Sequence, residues 1–183
     1  MKKLIILAAA LAAAAVTPAL IRAGDGETDF RRARWGMTPD QVREAETEAE
    51  PFGATETTLS FQGEVAGVRA WILYLFRDDK LIRGVYSIEP PDQDRVPEYY
   101  HALRYHFLDL HGAGETEDMN LDEESELAGI LDPYNPDELL KLVLARAAAP
   151  VTYWRTERSE IYLRLFEKDG HAAIQADYLV REE

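Results

Sequence analysis

The chain has 183 residues, no cysteine, 20 Lys plus Arg against 34 Asp plus Glu, and 46% apolar content. That is enough apolar material for one core and argues against a disordered acidic tail. A net charge of −14 disfavours attraction to nucleic acid or anionic lipid, and the missing thiols exclude cysteine nucleophiles, thiolate-held zinc, disulfides and thiol-linked lipid anchors.

Residues 1–23 begin with Lys2 and Lys3, run apolar from Leu4 to Val16, and meet Thr17 and Pro18 before small residues return. This is the layout of a secretory signal peptide, with cleavage expected after Ala19 or Ala23. The run is too short, too rich in alanine and too interrupted by Pro18 for a membrane span of about 20 apolar residues. Removing Lys2, Lys3 and Arg22 takes the net charge from −14 to −17, so the acidity belongs to the folded part. The expected product is periplasmic or secreted and monomeric. With no lipobox cysteine it has no lipid tether, and no stable membrane insertion is expected after cleavage.

Residues 24–29 read as a flexible leader, followed by a single α+β domain over 30–183. Thr38, Pro39 and Gln41 predict a helix start, with Thr38 as N-cap, Pro39 in the first turn and Gln41 closing a capping box. Met37 and Val42 stand at the spacing of a hydrophobic staple, and Gly36 permits the turn after Trp35. Alternation then predicts three antiparallel strands over 57–62, 68–77 and 80–89. In the middle strand Val68, Ala70, Ile72, Tyr74 and Phe76 share one face, and Trp71, Leu73 and Leu75 share the other. Such a strand should be central and covered on both sides, or covered on one side by a partner.

Asp94 is expected to cap a long helix ending at Gly112, with Val96, Tyr100, Leu103, Phe107 and Leu110 as its buried stripe. Residues 113–132 are acidic and aperiodic, and read as an exposed loop or insertion. Asn135 and Pro136 open a short helix expected to reach Ala148. Strands over 151–156, 160–167 and 171–180 follow, with Asp169-Gly170 as the clearest turn signal. Two three-stranded meanders, each preceded by a helix, would then form one antiparallel sheet with the helices packed on it. Leu73, Leu75, Phe76 and Asp79 recur as Leu163, Leu165, Phe166 and Asp169 at a constant offset of 90, which raises the question of an internal duplication.

The segment from Phe30 to Val42, containing Arg34-Trp35-Gly36-Met37-Thr38, is followed by Gly67-Val68, by Tyr74-x-Phe76-x-x-Asp79-Lys80-Leu81 and by Trp154-x-Thr156. This pattern resembles small exported bacterial proteins of unassigned function in which an RWGM(S/T) motif leads into a helix and a β-meander. More distantly, the helix-then-meander unit is similar to the fold of β-lactamase inhibitor proteins and of small outer-membrane lipoproteins of the barrel-assembly machinery. The resemblance implies a binding or envelope-maintenance role. The chain departs from the lipoproteins in lacking a lipidated cysteine and from the inhibitors in lacking disulfides, and no functional residue carries over.

Motifs with a mechanism are missing. His101, His106 and His111 are spaced by five, which turns each about 140° from the last and denies them the i, i+4 geometry of a metal pair. Asp118-x-Asn120-x-Asp122 imitates the start of a calcium loop, but Glu123 stands where a glycine should turn the chain and Gly129 where a glutamate should close the shell. None of Ser60, Ser87, Ser125 and Ser159 lies in a nucleophile elbow. No catalytic residue, metal ligand or cofactor is therefore assigned. The expected activity is binding of an envelope protein or a peptide, on a sheet face that presents aromatic side chains beside Arg69, Arg83, Arg155, Arg158 or Arg164. The candidate contact residues are Trp71, Tyr86, Trp154 and Tyr162. The alternative is a small-ligand binder or hydrolase using a cleft between helix and sheet.

Overall fold

A computed structural model describes residues 28–90, 92–122, 124–127, 129–133 and 135–181. The expected signal segment lies outside them, as do Glu123, Ala128 and Tyr134 of the acidic stretch and its flank. The fold is α+β. Its elements are α1 (Pro39–Ala45), β1 (Glu50–Ala54), β2 (Thr58–Val65), β3 (Val68–Arg77), β4 (Lys80–Ile88), α2 (Val96–His111), β5 (Thr116–Asp118), α3 (Pro136–Leu144), β6 (Val151–Arg155), β7 (Ser159–Lys168) and β8 (His171–Val180).

All eight strands join one antiparallel sheet in the order β1-β2-β3-β4-β8-β7-β6-β5. Three of the hairpins turn on a pair of residues with positive φ: Ala66-Gly67, Asp78-Asp79 and Asp169-Gly170. That twist matches the twist of the strands they join. The two halves meet where β4 pairs with β8, for example Tyr86 opposite Ala176 and Ile88 opposite Ile174.

Each half has one edge strand more than the alternation suggested. β1 contains Pro51 and Gly53, residues that disfavour strands, and is held by pairing with β2 across a bulge between those two positions. β5 arises inside the acidic stretch read as loop, where Thr116 to Asp118 pair with Tyr153 to Val151. Three residues are too few to register as alternation.

The helices also differ in detail. Both hydrogen bonds of the Thr38–Gln41 capping box form. Asp94, however, does not cap α2: a tight turn over Gln93–Arg95, capped by Asp92, whose carboxylate accepts the Asp94 backbone N–H at 3.2 Å, precedes the helix, and Arg95 at its N-cap makes no side-chain cap hydrogen bond. The buried stripe of α2 ends early, with Leu110 59% exposed, because His111 turns inward and bonds Tyr178 instead. α3 stops at Leu144, not at 148. Arg146 enters the left-handed region, and the N–H groups of Ala147 and Ala148 both return to the Leu142 carbonyl.

One sheet face carries the core. α2 lies against β8, and α3 against β7 and β8. Phe30, ahead of α1, sits among Tyr74, Tyr86 and Tyr178 at ring-centroid distances of 5.2, 4.9 and 5.1 Å. Its ring lies directly over Gly84, so close that any Cβ there would overlap it. The same segment reaches both halves of the sheet. Gly36 and Met37 exchange backbone hydrogen bonds with Leu81, while the Trp35 indole N–H donates to the Arg158 carbonyl and to Ser159 Oγ. Asp29, assigned above to the leader, accepts the Trp35 backbone N–H at 2.7 Å and pairs with Arg158 at 2.9 Å.

Gly84→Ala is therefore expected to destabilise the fold by about 1–3 kcal/mol, the usual cost of overpacking. Urea titration measures this, and an unchanged midpoint would contradict the placement of Phe30.

Candidate functional site

Among the described residues, no helix lies on the opposite sheet face. The register places Trp71, Leu73 and Leu75 of β3 on this side, flanked by Gln62, Ser60 and Thr58 of β2 and by Ser87, Val85 and Arg83 of β4. The three apolar side chains of β3 are half-buried there, whereas the residues alternating with them are buried in the core on the other face. On the far half, Tyr162 of β7 lies opposite Tyr153 of β6, and their rings pack at 4.9 Å. Phe52 of the edge strand, 66% exposed, meets Trp71 edge-on at 4.4 Å.

Of the four candidate contact residues, Trp71 and Tyr162 stand on this open face, on different halves of the sheet. Tyr86 and Trp154 point the other way, into the core, at 7% and 1% exposure. Phe107 packs between them, 6.4 Å from Tyr86 and 5.8 Å from Trp154, and the Trp154 indole N–H donates to the Gly112 carbonyl at 3.0 Å. The four are thus not brought together. Alternation alone does not say which of two apolar faces receives the helices.

The centre of the open face is polar and built around one carboxylate. Asp177 of β8 is 2% exposed, and Arg83 reaches it from β4 while Arg164 reaches it from β7. Arg83 Nε donates to Oδ1 at 3.0 Å, and the Gln175 amide donates to both oxygens at 3.1 and 2.9 Å. Two guanidiniums share one negative charge, so the cluster keeps a net positive charge. Arg83 and Arg164 remain 35% and 45% exposed in their side chains.

Cations gather on this side of an acidic molecule. Arg69, Arg77, Lys80 and Arg83 on β3 and β4, with Arg155, Arg164 and Lys168 on β6 and β7, share the face. The acidic side chains there are Glu50, Glu64, Glu89, Asp118, Glu160 and Asp177, of which Glu89 pairs with Lys168 and Glu160 with Arg155. A cleft of ≈ 300 Å³ opens at one end of the face, lined by Arg69, Trp71, Ser87, Glu89 and Tyr99 among others.

A second polar cluster lies inside the fold. Glu46, at the end of α1, accepts Arg31 Nε at 2.6 Å, Arg31 Nη2 at 3.1 Å and the Tyr74 hydroxyl at 2.5 Å, together with the backbone N–H groups of Glu48 and Ala49. Burial opposes charge on both partners, but the hydrogen bonds prevail: the Glu46 carboxyl is held below the usual carboxylate range and Arg31 above its own. Burial and the Glu46 charge push the Tyr74 hydroxyl up. Both oxygens of Glu46 are occupied, which suits a structural joint more than proton transfer.

The histidines are not assembled into a ligand set, and among the described residues no three His, Asp or Glu side chains are placed to hold a metal ion. No described helix is long and apolar enough to cross a membrane. No protein-family model, curated protein or solved structure matches the chain.

Sequence reading had noticed Arg83 and Arg164 but not the residue that organises them. Its signal is Asp177 itself, a single acid in the otherwise uncharged run from Ala172 to Val180. An acid inside a strand is costly to bury unless cations meet it.

Burial, with Arg104 nearby, holds the His101 imidazole below its ordinary range, and burial, with His106 nearby, does the same to His111. Unfolding returns both to about 6.5, so the unfolded chain binds more protons and acidification favours it. Stability should be full above about pH 6.5 and fall below it. Glu46, also held low, should add a second loss once the pH drops below the ordinary carboxylate range of about 4.3. Denaturant titrations across pH give the profile, and His111→Gln should flatten its upper limb. A stability that does not change between about pH 7 and 5 would contradict this.

Proposed function

We propose that this chain is an exported protein of the cell envelope that binds another protein or a peptide through the helix-free face of its sheet, without catalysis. The observation that carries this reading is the face itself: Trp71, Leu73 and Leu75, half-buried in a central strand with no described element over them. Helix packing would bury such a row in a self-contained domain, and an apolar row left half-covered marks a contact surface. Tyr, Trp and Arg are the usual anchors of protein interfaces, and all three stand here.

Export is supported by the basic, then apolar, then small-residue pattern of residues 1–23. The resemblance to exported RWGM(S/T) proteins, and more distantly to inhibitor proteins and assembly lipoproteins, is part of the same proposal, as is the view of the sheet as two related helix-plus-meander units. The chain is taken to act as a monomer, with no cofactor and no nucleic-acid partner.

The alternative of a small-ligand or hydrolytic cleft has less to support it. The hollow under α2, beside α3 and β6, measures ≈ 190 Å³ and is lined by Tyr100, His101, Met119, Leu139 and Val151 among others. Its lining also includes Arg104, Asp118 and Thr152, and no serine is among these residues.

Fractionation of the source cells should find the protein outside the cytoplasmic membrane, with its amino-terminal 20 or so residues removed. The intact chain in the cytoplasm would overturn the export reading. Affinity capture from envelope extract should enrich a partner over a charge-matched control protein. The Trp71→Ala/Tyr162→Ala double variant should lose it. Recovery no better than the control, or a variant that captures as the wild type does, would overturn the binding reading.

A further inference from the structure

We infer that the partner is acidic: the open face docks a polypeptide segment that seats carboxylates on Arg83 and Arg164 and an apolar side chain in the cleft beside Trp71. This rests on the binding reading above and adds the chemistry of what is bound.

Charge complementarity carries it. In the whole chain acids outnumber bases 34 to 20, whereas this face is close to balanced, and at its centre Arg83 and Arg164 share the single carboxylate of Asp177. A surface meant only to stay in solution would share the overall sign. Here the arginines are concentrated where the apolar row is, and a partner bearing carboxylates next to apolar side chains satisfies both.

The two central arginines are also fixed before any partner arrives. Each is tied to its own oxygen of the buried Asp177, whose remaining capacity is taken by Gln175. Arginine presents five N–H donors. Arg83 spends only Nε and Nη2 on Asp177, and Arg164 only Nη2, so N–H groups of both are left to meet incoming acceptors. Because the guanidiniums are already ordered, less side-chain entropy is lost on docking than with free lysines. Planar forks of this kind match carboxylates in two-point contacts.

The rest of the face selects a polypeptide over a phosphate polymer. The Trp71 cleft, its neighbour Phe52 and the Tyr153–Tyr162 pair offer apolar area that a chain of phosphates leaves unused. Across the rest of the molecule, negative charge repels any polyanion. At physiological salt that repulsion is screened beyond about 8 Å, so a short-range match on the face decides the outcome.

The test uses the protein without residues 1–23 and a fluorescent copolymer of glutamate and tyrosine. A lysine–tyrosine copolymer and phosphatidylglycerol vesicles serve as alternatives, all at about 0.15 M salt. The acidic copolymer should bind in preference to both, and more weakly as salt is raised. Arg69→Gln, at an exposed position, should weaken it about three- to five-fold with unchanged melting temperature. Arg83→Gln and Arg164→Gln should weaken it as well, and if either loosens the sheet by stranding Asp177, Arg69→Gln still decides.

Equal binding of the basic copolymer, preferential binding of vesicles, or arginine variants that bind as the wild type does would each overturn the inference. If the acidic copolymer fails while envelope capture still depends on Trp71 and Tyr162, the acidic partner is wrong and the binding reading stands. If capture does not depend on those residues, both fall.

Discussion

The pairing of β4 with β8 is the contact on which the molecule depends. Most strands on either side are joined by hairpins and short loops to partners nearby in sequence, the exception being the three-residue β5, which reaches β6 across α3. β4 and β8 are separated by about ninety positions, so closing them costs loop entropy that local pairing does not repay. The compensation is applied on both faces of that seam. Under the helices Phe30 fills the space left by Gly84 and touches Tyr86 of β4 and Tyr178 of β8. On the open side Arg83 of β4 crosses to Asp177 of β8, which also holds Arg164 of β7.

The amino-terminal segment is a clasp on this seam. Phe30 supplies the ring, Arg31 enters the left-handed region to reach Glu46, and Trp35 extends to the turn between β6 and β7. The motif that looks like a simple approach to α1 therefore ties together elements more than a hundred residues apart. Glu46, its buried anchor, is fully hydrogen-bonded, and removing one partner from such a pair typically costs about 3–5 kcal/mol because the other charge is stranded. The Arg-Trp-Gly-Met run is thus explained by architecture and owes nothing to chemistry at a reacting centre.

What could be read from the residues follows the range of the interactions. The α1 cap, the hairpin turns and the six long strands rest on neighbours in sequence, and their boundaries fall within a few residues of the expected ones. β1 and β5 were hidden because Pro51, Gly53 and the three-residue length of β5 give no local preference, and only an adjoining strand makes them. Asp94 does not cap α2 because a tight turn capped by Asp92 stands between it and the helix. The candidate surface was half legible for the same reason. That β3 is apolar on both sides is written in its alternation. That Tyr86 and Trp154 belong to the covered side, and Trp71 and Tyr162 to the other, depends on where α2 comes back over the sheet.

An open, partly apolar sheet face is a hazard, since two copies can stack through it. The cations on this face counter that. In a face-to-face pairing about a two-fold axis, the patch containing Arg83 and Arg164 meets itself, and like charges brought into a drying interface repel strongly. The edges are guarded as well: β1 carries Pro51 and a bulge, and β5 offers only three residues of backbone. On the proposed reading, the same arginines would suit a partner of opposite sign and disfavour a second copy. Asp177 sets that balance. With two arginines on one carboxylate the face keeps its positive sign, whereas a second acid beside it would cancel the charge and leave the apolar row free to self-associate.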